Sequence, residues 1–368
     1  MSRVPLVIEK VLVHPVRIPY PRTIRWGAHS EDCADYLLIE LVTRDGQSGI
    51  AEGTVKPNWM GATPRSLAVT IEEVFAPRLI GADIADEKTA TKSIDRVPEN
   101  RLAKAMIDVA CWDLRAQAAG QPLWKLWGGE RSVPVSWTVT RQEPAAMARD
   151  AADKIEVHGF RTLKIKTGQG RERDLAALNA IRRAVGESIR LYADSNGAYE
   201  TAAVPDFTAG LKDRGVFLAE DPCHYLPDAS FERLRQACAI PLLVDHDCRS
   251  LPEALLFAER GAEAVSIKIG KSGFSESWDI VRLAERRNVK SHVGMLGESS
   301  LGALAALQLA ASLPGRARWL PAESSFFLTL PQEFVHAPLA IRDGAIVLPE
   351  EPSFTSFIDR DRLRALRP

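Results

Sequence analysis

The feature that most constrains this chain is a series of short apolar runs, each followed by a lysine or an acidic residue. These end residues are 28, 26, 25 and 23 positions apart, which fits a repeat of a strand, a helix and two loops. Such runs, bounded by polar residues, are typical of strands buried on both faces of a parallel sheet. The series comprises TLKI before Lys166, RLYA before Asp194, VFLA before Glu220, PLLV before Asp245 and AVSI before Lys268. In a closed (β/α)₈ barrel the carboxyl ends of the strands converge on one mouth, so we expect these side chains around one cavity.

The same strand–helix repeat extends to eight strands. Further candidate strands are VPVSWTV near Val135, VKSHVGM near Val293 and ARWLPAE near Trp319. Helical patterns separate the strands, and glycines at or near most helix ends are suited to left-handed caps. We predict helices at Pro144–His158, Arg171–Val185, Glu200–Arg214, Asp228–Cys238, Ser250–Arg260, Ser275–Arg287 and Ser300–Leu313. The sequence therefore predicts an α/β protein built on a TIM-like barrel.

The first ~130 residues do not follow this repeat. The segments VIEKVLVHPVRI, DYLLIELVT and QSGIAEGTV resemble an antiparallel meander, and Asp45-Gly46 is a hairpin turn signal. Helices are predicted around Pro64–Leu79 and Glu99–Ala119, and a second hairpin around Asp343-Gly344. We predict an α+β capping domain at residues 1–130, a barrel at 131–323 and a C-terminal segment at 324–368 that returns to the cap. Such a cap would close the barrel mouth.

Composition narrows the class of partner. The 368 residues include 47 basic and 48 acidic side chains, for a net charge of -1, which gives no electrostatic reason to expect nucleic acid or an anionic membrane. The N-terminus lacks the apolar core of a signal peptide, and no stretch approaches the ~18 to 20 apolar residues of a membrane span. Five cysteines without metal or disulfide spacing indicate reduced thiols. We expect a cytoplasmic protein with a small-molecule partner.

Three carboxylates at adjacent strand ends would repel one another unless a cation lies among them. Asp194, Glu220 and Asp245 offer only oxygen ligands, which favours a hard divalent ion such as Mg²⁺. No Cys/His cluster with zinc spacing competes for this assignment. Each acid could alternatively be an isolated cap or salt-bridge partner. Asn196 could hold one of these ligands in place or simply cap its loop.

Lysines lie on both sides of this predicted metal site. Lys164 and Lys166 are two positions apart on one strand and share a face, while Lys268 lies four strands further round an eight-stranded ring. Neighbouring positive charge and burial both lower the pKa of a lysine, which can make it a general base at neutral pH. Two such groups on opposite faces of a bound carboxylate could remove an α-proton from one face and return it to either. For each lysine alone, a solvated surface position is the alternative.

These residues resemble those of the enolase superfamily, and within it the mandelate racemase and muconate lactonising group. The resemblance covers nearly the whole chain, including Gly49 to Gly53 and the segment AKAMIDVACWDLRAQAAGQPLWKLWGG. It implies that Asp194, Glu220 and Asp245 bind one Mg²⁺ ion. The pair Lys164-x-Lys166 together with Lys268 resembles the muconate lactonising subgroup. That subgroup implies Lys166 and Lys268 as acid/base residues, with Lys164 against the substrate carboxylate.

Several positions depart from the family pattern. His246 follows Asp245 where Glu is usual, and Phe274 stands where a second glycine is usual. The segment Met295–Gly302 is one residue longer than its counterpart, which leaves the role of Glu298 open. His292 lies near the catalytic histidine position of the mandelate racemase subgroup, but Lys268 occupies the place of its aspartate partner.

The eighth strand and the cap loops bear on the substrate. PAESSFFLTL lacks the Asp-x-Asp with which related dipeptide epimerases bind an ammonium group, and Glu323 matches the strand-eight glutamate of muconate cycloisomerases. Trp26 and Arg25 lie in cap loops that face the distal part of a substrate. Arg25 could pair with a second carboxylate or remain solvated.

The resemblance thus implies an Mg²⁺-dependent isomerase that abstracts the proton α to a carboxylate through an enediolate. A muconate-type cycloisomerase and a racemase or epimerase both fit, and an acid dehydratase of the same superfamily is the alternative. Two hypotheses from other classes are a Schiff-base aldolase and a catalytically silent carboxylate-binding relative. Relatives assemble as dimers to octamers, so we expect a homo-oligomer.

Overall fold

The structure, a computed structural model, describes residues 5–27, 29–86, 92 and 94–368. The N-terminal part begins with a three-stranded antiparallel sheet in the order β1-β2-β3. Its strands are β1 (Ile8–Trp26), β2 (His29–Thr43) and β3 (Ser48–Thr54). Helices then follow at Pro57–Met60, Pro64–Val69, Ala76–Leu79, Arg101–Ala119 and Leu123–Leu126, with a π-helical turn at Thr70–Phe75.

A curled parallel sheet forms the barrel. Seven strands pair in chain order from β5 to β11. They are β5 (Trp137–Val139), β6 (Thr162–Lys166), β7 (Arg190–Asp194), β8 (Val216–Glu220), β9 (Leu242–Val244), β10 (Ala264–Ile267) and β11 (Lys290–Val293). The (β/α)₈ prediction is confirmed in its architecture.

The eighth position of the ring is filled by an extended segment near Trp319 rather than a regular strand. Isolated parallel bridges join Arg318 to Ser291 of β11, and Ala322 to Val135 just before β5. Backbone hydrogen bonds from Glu323 N to Val293 O at 3.0 Å and from Ser136 N to Ala322 O at 2.9 Å complete the closure. The ring therefore closes through few hydrogen bonds at this seam.

Helices connect the barrel strands close to their predicted bounds. They run at Pro144–His158, Arg171–Val185, Val204–Lys212 after a 3₁₀ turn at Thr201–Ala203, Ala229–Ala237, Leu251–Glu259, Ile269–Ser272, Ser275–Arg286 and Ser300–Ser312. Gly159 ends the first of these with φ of 72° and its N–H bonded to Ile155 O at 2.8 Å, a left-handed cap that suits glycine.

The C-terminal part contacts both the barrel and the cap. A hairpin of β12 (Ile341–Arg342) and β13 (Ala345–Val347) pairs with β4 (Ser132–Pro134), just before the barrel begins. A 3₁₀ turn at Phe326–Thr329 precedes the hairpin. After the hairpin, the chain continues through a 3₁₀ turn at Thr355–Phe357 to a final helix at Arg360–Ala365. This last stretch lies on the cap, where Arg360 pairs with Glu40 of β2.

Two further predictions concern the chain as a whole. The five cysteines, all of them among the described residues, are free thiols. No helix in the described ranges has the length and apolar character needed to cross a bilayer.

Phe274 is completely buried and packs against Trp127 at a ring distance of 5.1 Å, so its bulk contributes to packing between the barrel and the cap.

Candidate active site

The ionisable residues at the strand ends lie side by side at one end of the barrel. Lys166 is the Cα partner of Asp194 in the sheet, and Asp194 is the Cα partner of Glu220. Asp245 directly follows β9, and Lys268 directly follows β10. The side chains of Asp194, Glu220, Asp245 and Lys268 are buried, whereas that of Lys166 retains 11% exposure. The parallel register therefore brings the predicted residues together.

Lys164 lies at the centre of a buried cluster of carboxylates. Its Nζ atom is 2.7 Å from Glu220 Oε1, 2.8 Å from Glu323 Oε1 and 3.0 Å from Asp194 Oδ2. Burial disfavours the charged amine, but these three carboxylates together raise the pKa of Lys164 well above its usual value. Lys164 is therefore a fixed positive charge at the floor of the site.

Lys166 occupies the next position toward the barrel mouth. Its Nζ atom donates to Asp194 Oδ2 at 2.6 Å and to Asn196 Oδ1 at 3.0 Å. Burial is the largest cause that lowers the pKa of Lys166 below its usual value, and the charge of Lys164 adds to it, against the attraction of Asp194. Asn196 also donates its backbone N–H to Asp194 Oδ1 at 2.9 Å, so it holds both the acid and the lysine.

Two lysines hold Asp245 on the other side of the barrel. Lys268 Nζ lies 2.6 Å from Asp245 Oδ2, and Lys271 Nζ lies 2.9 Å from Oδ1. Burial disfavours the charged forms of Lys268 and Asp245. The charge of Asp245 nevertheless raises the pKa of Lys268 above its usual value. Lys268 and Lys271 in turn hold the pKa of Asp245 well below its usual value. Lys271 was not among the predicted residues. Lys271 lies three residues after Lys268, which directly precedes the short helix Ile269–Ser272, and this spacing was the available sequence signal.

The acidic residues fit a hard divalent cation in their chemistry. Asp194, Glu220 and Asp245 present only carboxylate oxygens, and Glu220 Oε2 is buried without a hydrogen-bond partner. Burial, followed by the charge of Asp194, raises the pKa of Glu220 well above its usual value. A cation bound here would give Glu220 Oε2 a partner and would offset the repulsion between Glu220 and Asp194. It would also replace some of the lysine contacts that now occupy the other oxygens.

A cavity opens above these residues, between the barrel and the cap. About 530 Å³ of space lies between its lining atoms, with the open solvent at its mouth included. Lys166 and Lys268 both line it. Its walls are formed by Ile24, Trp26, Lys56, Trp59, Thr138, Thr140, Asn196, Met295, Leu296, Gly297 and Phe326. Lys56, which sequence reasoning missed, pairs with Glu31.

The remaining predicted contacts are divided between the cavity and its surroundings. Trp26 and Arg25 lie at the end of β1 rather than in a loop as predicted. Trp26 lines the cavity, whereas Arg25 is exposed and lies outside it, because neighbouring residues of a strand point to opposite faces. Glu298 is buried and accepts the N–H groups of Leu296 at 2.8 Å and Gly297 at 3.1 Å. It therefore shapes the loop that lines the cavity without lining it itself. His246 packs edge-on against Trp59 with ring centroids 4.4 Å apart.

Glu323 and His292 lie beneath the cavity. Glu323 is fully buried and accepts a hydrogen bond from Tyr192 Oη at 2.7 Å in addition to its contact with Lys164. His292 Nε2 is 2.9 Å from the same carboxylate oxygen, and His292 does not line the cavity. The structure thus places Glu323 as a countercharge for Lys164 and His292 as its neighbour.

Family models match both parts of the chain. Residues 8–128 match the mandelate racemase / muconate lactonizing enzyme N-terminal domain, and residues 146–361 match the enolase C-terminal domain-like family. A chloromuconate cycloisomerase of Cupriavidus necator is 28% identical over 97% of this chain and 98% of its own length.

Solved structures of two isomerase types are similar to the whole chain. A muconate lactonizing enzyme from Mycobacterium smegmatis, complexed with muconolactone, superposes with a TM-score of 0.93 and 27% identity over 99% of this chain and all of the other. A dipeptide epimerase from Enterococcus faecalis, complexed with Mg and the dipeptide L-Leu-L-Tyr, has a TM-score of 0.89 and 27% identity over 95% of this chain and 99% of its own.

Proposed function

Because this chain belongs to the mandelate racemase / muconate lactonizing enzyme family of the enolase superfamily, in which its relatives are isomerases, we propose that it moves a proton at the carbon α to a carboxylate. One observation carries the proposal: Lys166 and Lys268, which leave the barrel on strands four places apart, line the same cavity. An amine on each face of a bound acid can take the α-proton from one side and return one from the other.

The residues around the lysines have complementary roles in this proposal. Lys164, ion-paired with three buried carboxylates, places positive charge where negative charge develops on the substrate carboxylate. Asn196 and Asp194 orient Lys166, while Asp245 orients Lys268. We propose Asp194, Glu220 and Asp245 as ligands of Mg²⁺, which when bound supplies a Lewis acid for the substrate carboxylate.

The cavity wall points to the class of acid. Six of its residues are apolar, namely Ile24, Trp26, Trp59, Met295, Leu296 and Phe326. Among the described residues no Asp or Glu lines the cavity, so an ammonium group would find no counterion there. Lys56, at the wall contributed by the cap, is neutralised by Glu31, so a second carboxylate would find no unpaired cation at this wall. We propose an acid with one carboxylate and an uncharged, largely apolar remainder.

These features favour racemisation or epimerisation over muconate cycloisomerisation. In such a reaction the α C–H bond breaks, its proton passes to the Nζ atom of one lysine, and the ammonium group of the other delivers a proton to the opposite face. The configuration at the α-carbon inverts, and no group leaves. Cycloisomerisation of a dicarboxylate is the second candidate, supported by the similarity to the muconate lactonizing enzyme structure.

The test is hydrogen exchange in D₂O with the Mg²⁺-supplemented protein. Single enantiomers of N-acyl amino acids with apolar side chains, dipeptides with a free ammonium group, and cis,cis-muconate would be compared by mass spectrometry and chiral chromatography. We expect deuterium at the α-carbon fastest for the N-acyl acids. Faster turnover of muconate or of the free dipeptides would overturn the substrate class. Absence of exchange from every acid would overturn the proposed function and favour a silent relative.

The lysines are tested in the same assay. We expect Lys166→Ala and Lys268→Ala each to slow racemisation by about 10² to 10⁴-fold, with exchange lost from one enantiomer in the first and from the other in the second. Lys212→Ala, at an exposed position in the helix Val204–Lys212, is the control and should exchange normally. Normal exchange by both active-site variants would contradict the acid/base assignment.

A further inference from the structure

Three potential metal ligands meet at the rim of the barrel, outside the lysine and carboxylate cluster. They are His224, in the loop after β8, and His246 and Asp247, in the loop after β9, and we call them the rim cluster. One ligand atom from each lies within 4.8 Å of the other two. No other group of three or more His, Cys, Asp or Glu side chains in the described part of the chain meets this distance.

The surrounding contacts orient the rim cluster. Asp247 Oδ2 accepts the backbone N–H of Tyr225 at 2.7 Å, which ties the two loops together. The same oxygen lies 3.8 Å from His224 Nδ1. The ring of His224 rests over Gly197, where an added Cβ would lie 2.7 Å from Nε2. His246 packs against Trp59, so its ring is held from the cap side.

We propose that the rim cluster is a second metal site, which takes a transition-metal ion such as Zn²⁺ rather than Mg²⁺. Imidazole nitrogen suits Zn²⁺, Ni²⁺ and Cu²⁺, whereas Mg²⁺ prefers an all-oxygen shell such as that of Asp194, Glu220 and Asp245. Two histidines and one carboxylate provide three ligands and leave a fourth position for water, an arrangement that zinc adopts in proteins.

The ligand atoms of the rim cluster need to move only a short distance to coordinate one ion. Tetrahedral Zn²⁺ with ligands near 2.0 Å needs ligand atoms about 3.3 Å apart, and those of the rim cluster are at most 4.8 Å apart. The side chain of His224 is 67% exposed, so it can rotate toward the other two without disturbing the core. An ion here would join the loops after β8 and β9, and it requires no substrate or Mg²⁺ in the cavity.

The test is Zn²⁺ binding by protein that is saturated with Mg²⁺, in competition with a chromophoric chelator of known zinc affinity. We expect one equivalent of Zn²⁺ to bind, with affinity lowered at least tenfold in both His224→Ala and Asp247→Asn. His336→Ala is a matched control. His336 Nδ1 also lies 3.8 Å from an aspartate oxygen, that of Asp359, and its side chain is 65% exposed, but it belongs to no three-ligand group within the described residues.

The possible results separate the rim cluster from other sites. Unchanged Zn²⁺ affinity in His224→Ala would overturn the proposal, as would the absence of Zn²⁺ binding by the wild-type protein. Loss of the Zn²⁺ equivalent in Asp194→Asn, with His224→Ala unaffected, would assign the ion to the acidic site and overturn it too. Anomalous scattering at the zinc edge from a crystal soaked with Zn²⁺ should place the ion between His224, His246 and Asp247. None of these measurements depends on the proposed isomerase activity.

Discussion

Among the individual residues of the site, Glu323 is a buried carboxylate that contacts four neighbouring groups. Its Oε1 atom is shared by Lys164, Tyr192 and His292, and its Oε2 atom accepts the N–H of Met295 at 3.2 Å. Burial alone would raise the pKa of Glu323, but Lys164 and His292 hold it well below the usual value. Glu323 therefore keeps a negative charge that fixes Lys164 under the cavity.

Replacing Glu323 by Gln keeps the shape of the side chain and removes that charge. Because hydrogen bonds to charged groups contribute about 1.5 to 3 kcal/mol, we expect the α-proton exchange rate at limiting substrate to fall roughly 10 to 100-fold. Glu333→Gln is the control, since Glu333 is also buried but accepts hydrogen bonds from Ser300, away from the cavity. It should lower stability without a comparable loss of exchange. Equal losses in both variants would show a general structural effect instead.

Among the secondary-structure elements, the final helix begins at a residue that pairs with a buried carboxylate of the cap sheet. Arg360, the first residue of that helix, donates to both oxygens of Glu40 in β2 at 2.7 Å. His14 of β1 lies 3.3 Å from the same group. Burial opposes the charge of Glu40, but hydrogen bonds from His14, Arg360 and Ser48 place its pKa well below the usual value. This contact joins the two ends of the chain.

The depressed pKa of Glu40 gives this contact a definite pH dependence. Its contribution to stability is fully present above the ordinary glutamate pKa near 4.5 and is lost as the pH falls below it. Arg360 is partly exposed, so we expect Arg360→Gln to lower the free energy of unfolding by only about 1 to 2 kcal/mol at pH 7. The deficit should shrink as the pH falls from 5 toward 3.

Denaturant unfolding at several pH values measures this difference. Arg364→Gln is the control in the same helix, because Arg364 pairs with Asp361 at the surface. This replacement should lower the free energy of unfolding only slightly at any pH. A deficit for Arg360→Gln that is the same at pH 7 and near pH 3 would show that lost packing, rather than the charge on Glu40, is responsible.

Across the full chain, the cap and the barrel share an apolar core. A single cluster of buried side chains includes Leu38 of the cap sheet, Leu163 of the barrel and Phe354 of the C-terminal segment. Asp113, on the cap helix Arg101–Ala119, accepts N–H groups from Ile50 at 2.9 Å and Phe354 at 2.8 Å. The domain boundaries and the homo-oligomeric state stay predictions, but these contacts bear directly on how the chain unfolds.

We expect the cap and the barrel to unfold together, because separating them would expose the apolar side chains of the shared core to water. Tryptophans occur in both parts, for example Trp112 in the cap helix and Trp319 at the barrel seam. Tryptophan fluorescence and far-UV circular dichroism should therefore give the same denaturant midpoint. An earlier fluorescence transition that disappears in Trp112→Phe would indicate that the cap opens first.

The amino-acid sequence was sufficient to predict the barrel and the residues at its mouth. Strand length and helix length are local properties, so a repeat of about 25 residues was enough to predict the helices Pro144–His158 and Arg171–Val185 at their observed bounds. It also predicted that Lys166, Asp194 and Glu220 would lie level with one another, because parallel strands end together.

The surroundings of those residues could not be predicted from the sequence, because they depend on packing in three dimensions. The inward position of Lys56 and the exposure of Arg25 depend on how the cap docks on the barrel. The contact of Lys271 with Asp245 depends on the turn between two barrel elements, and the rim cluster joins loops 22 residues apart in sequence. Contacts of this kind arise from packing between distant segments, which no local periodicity encodes.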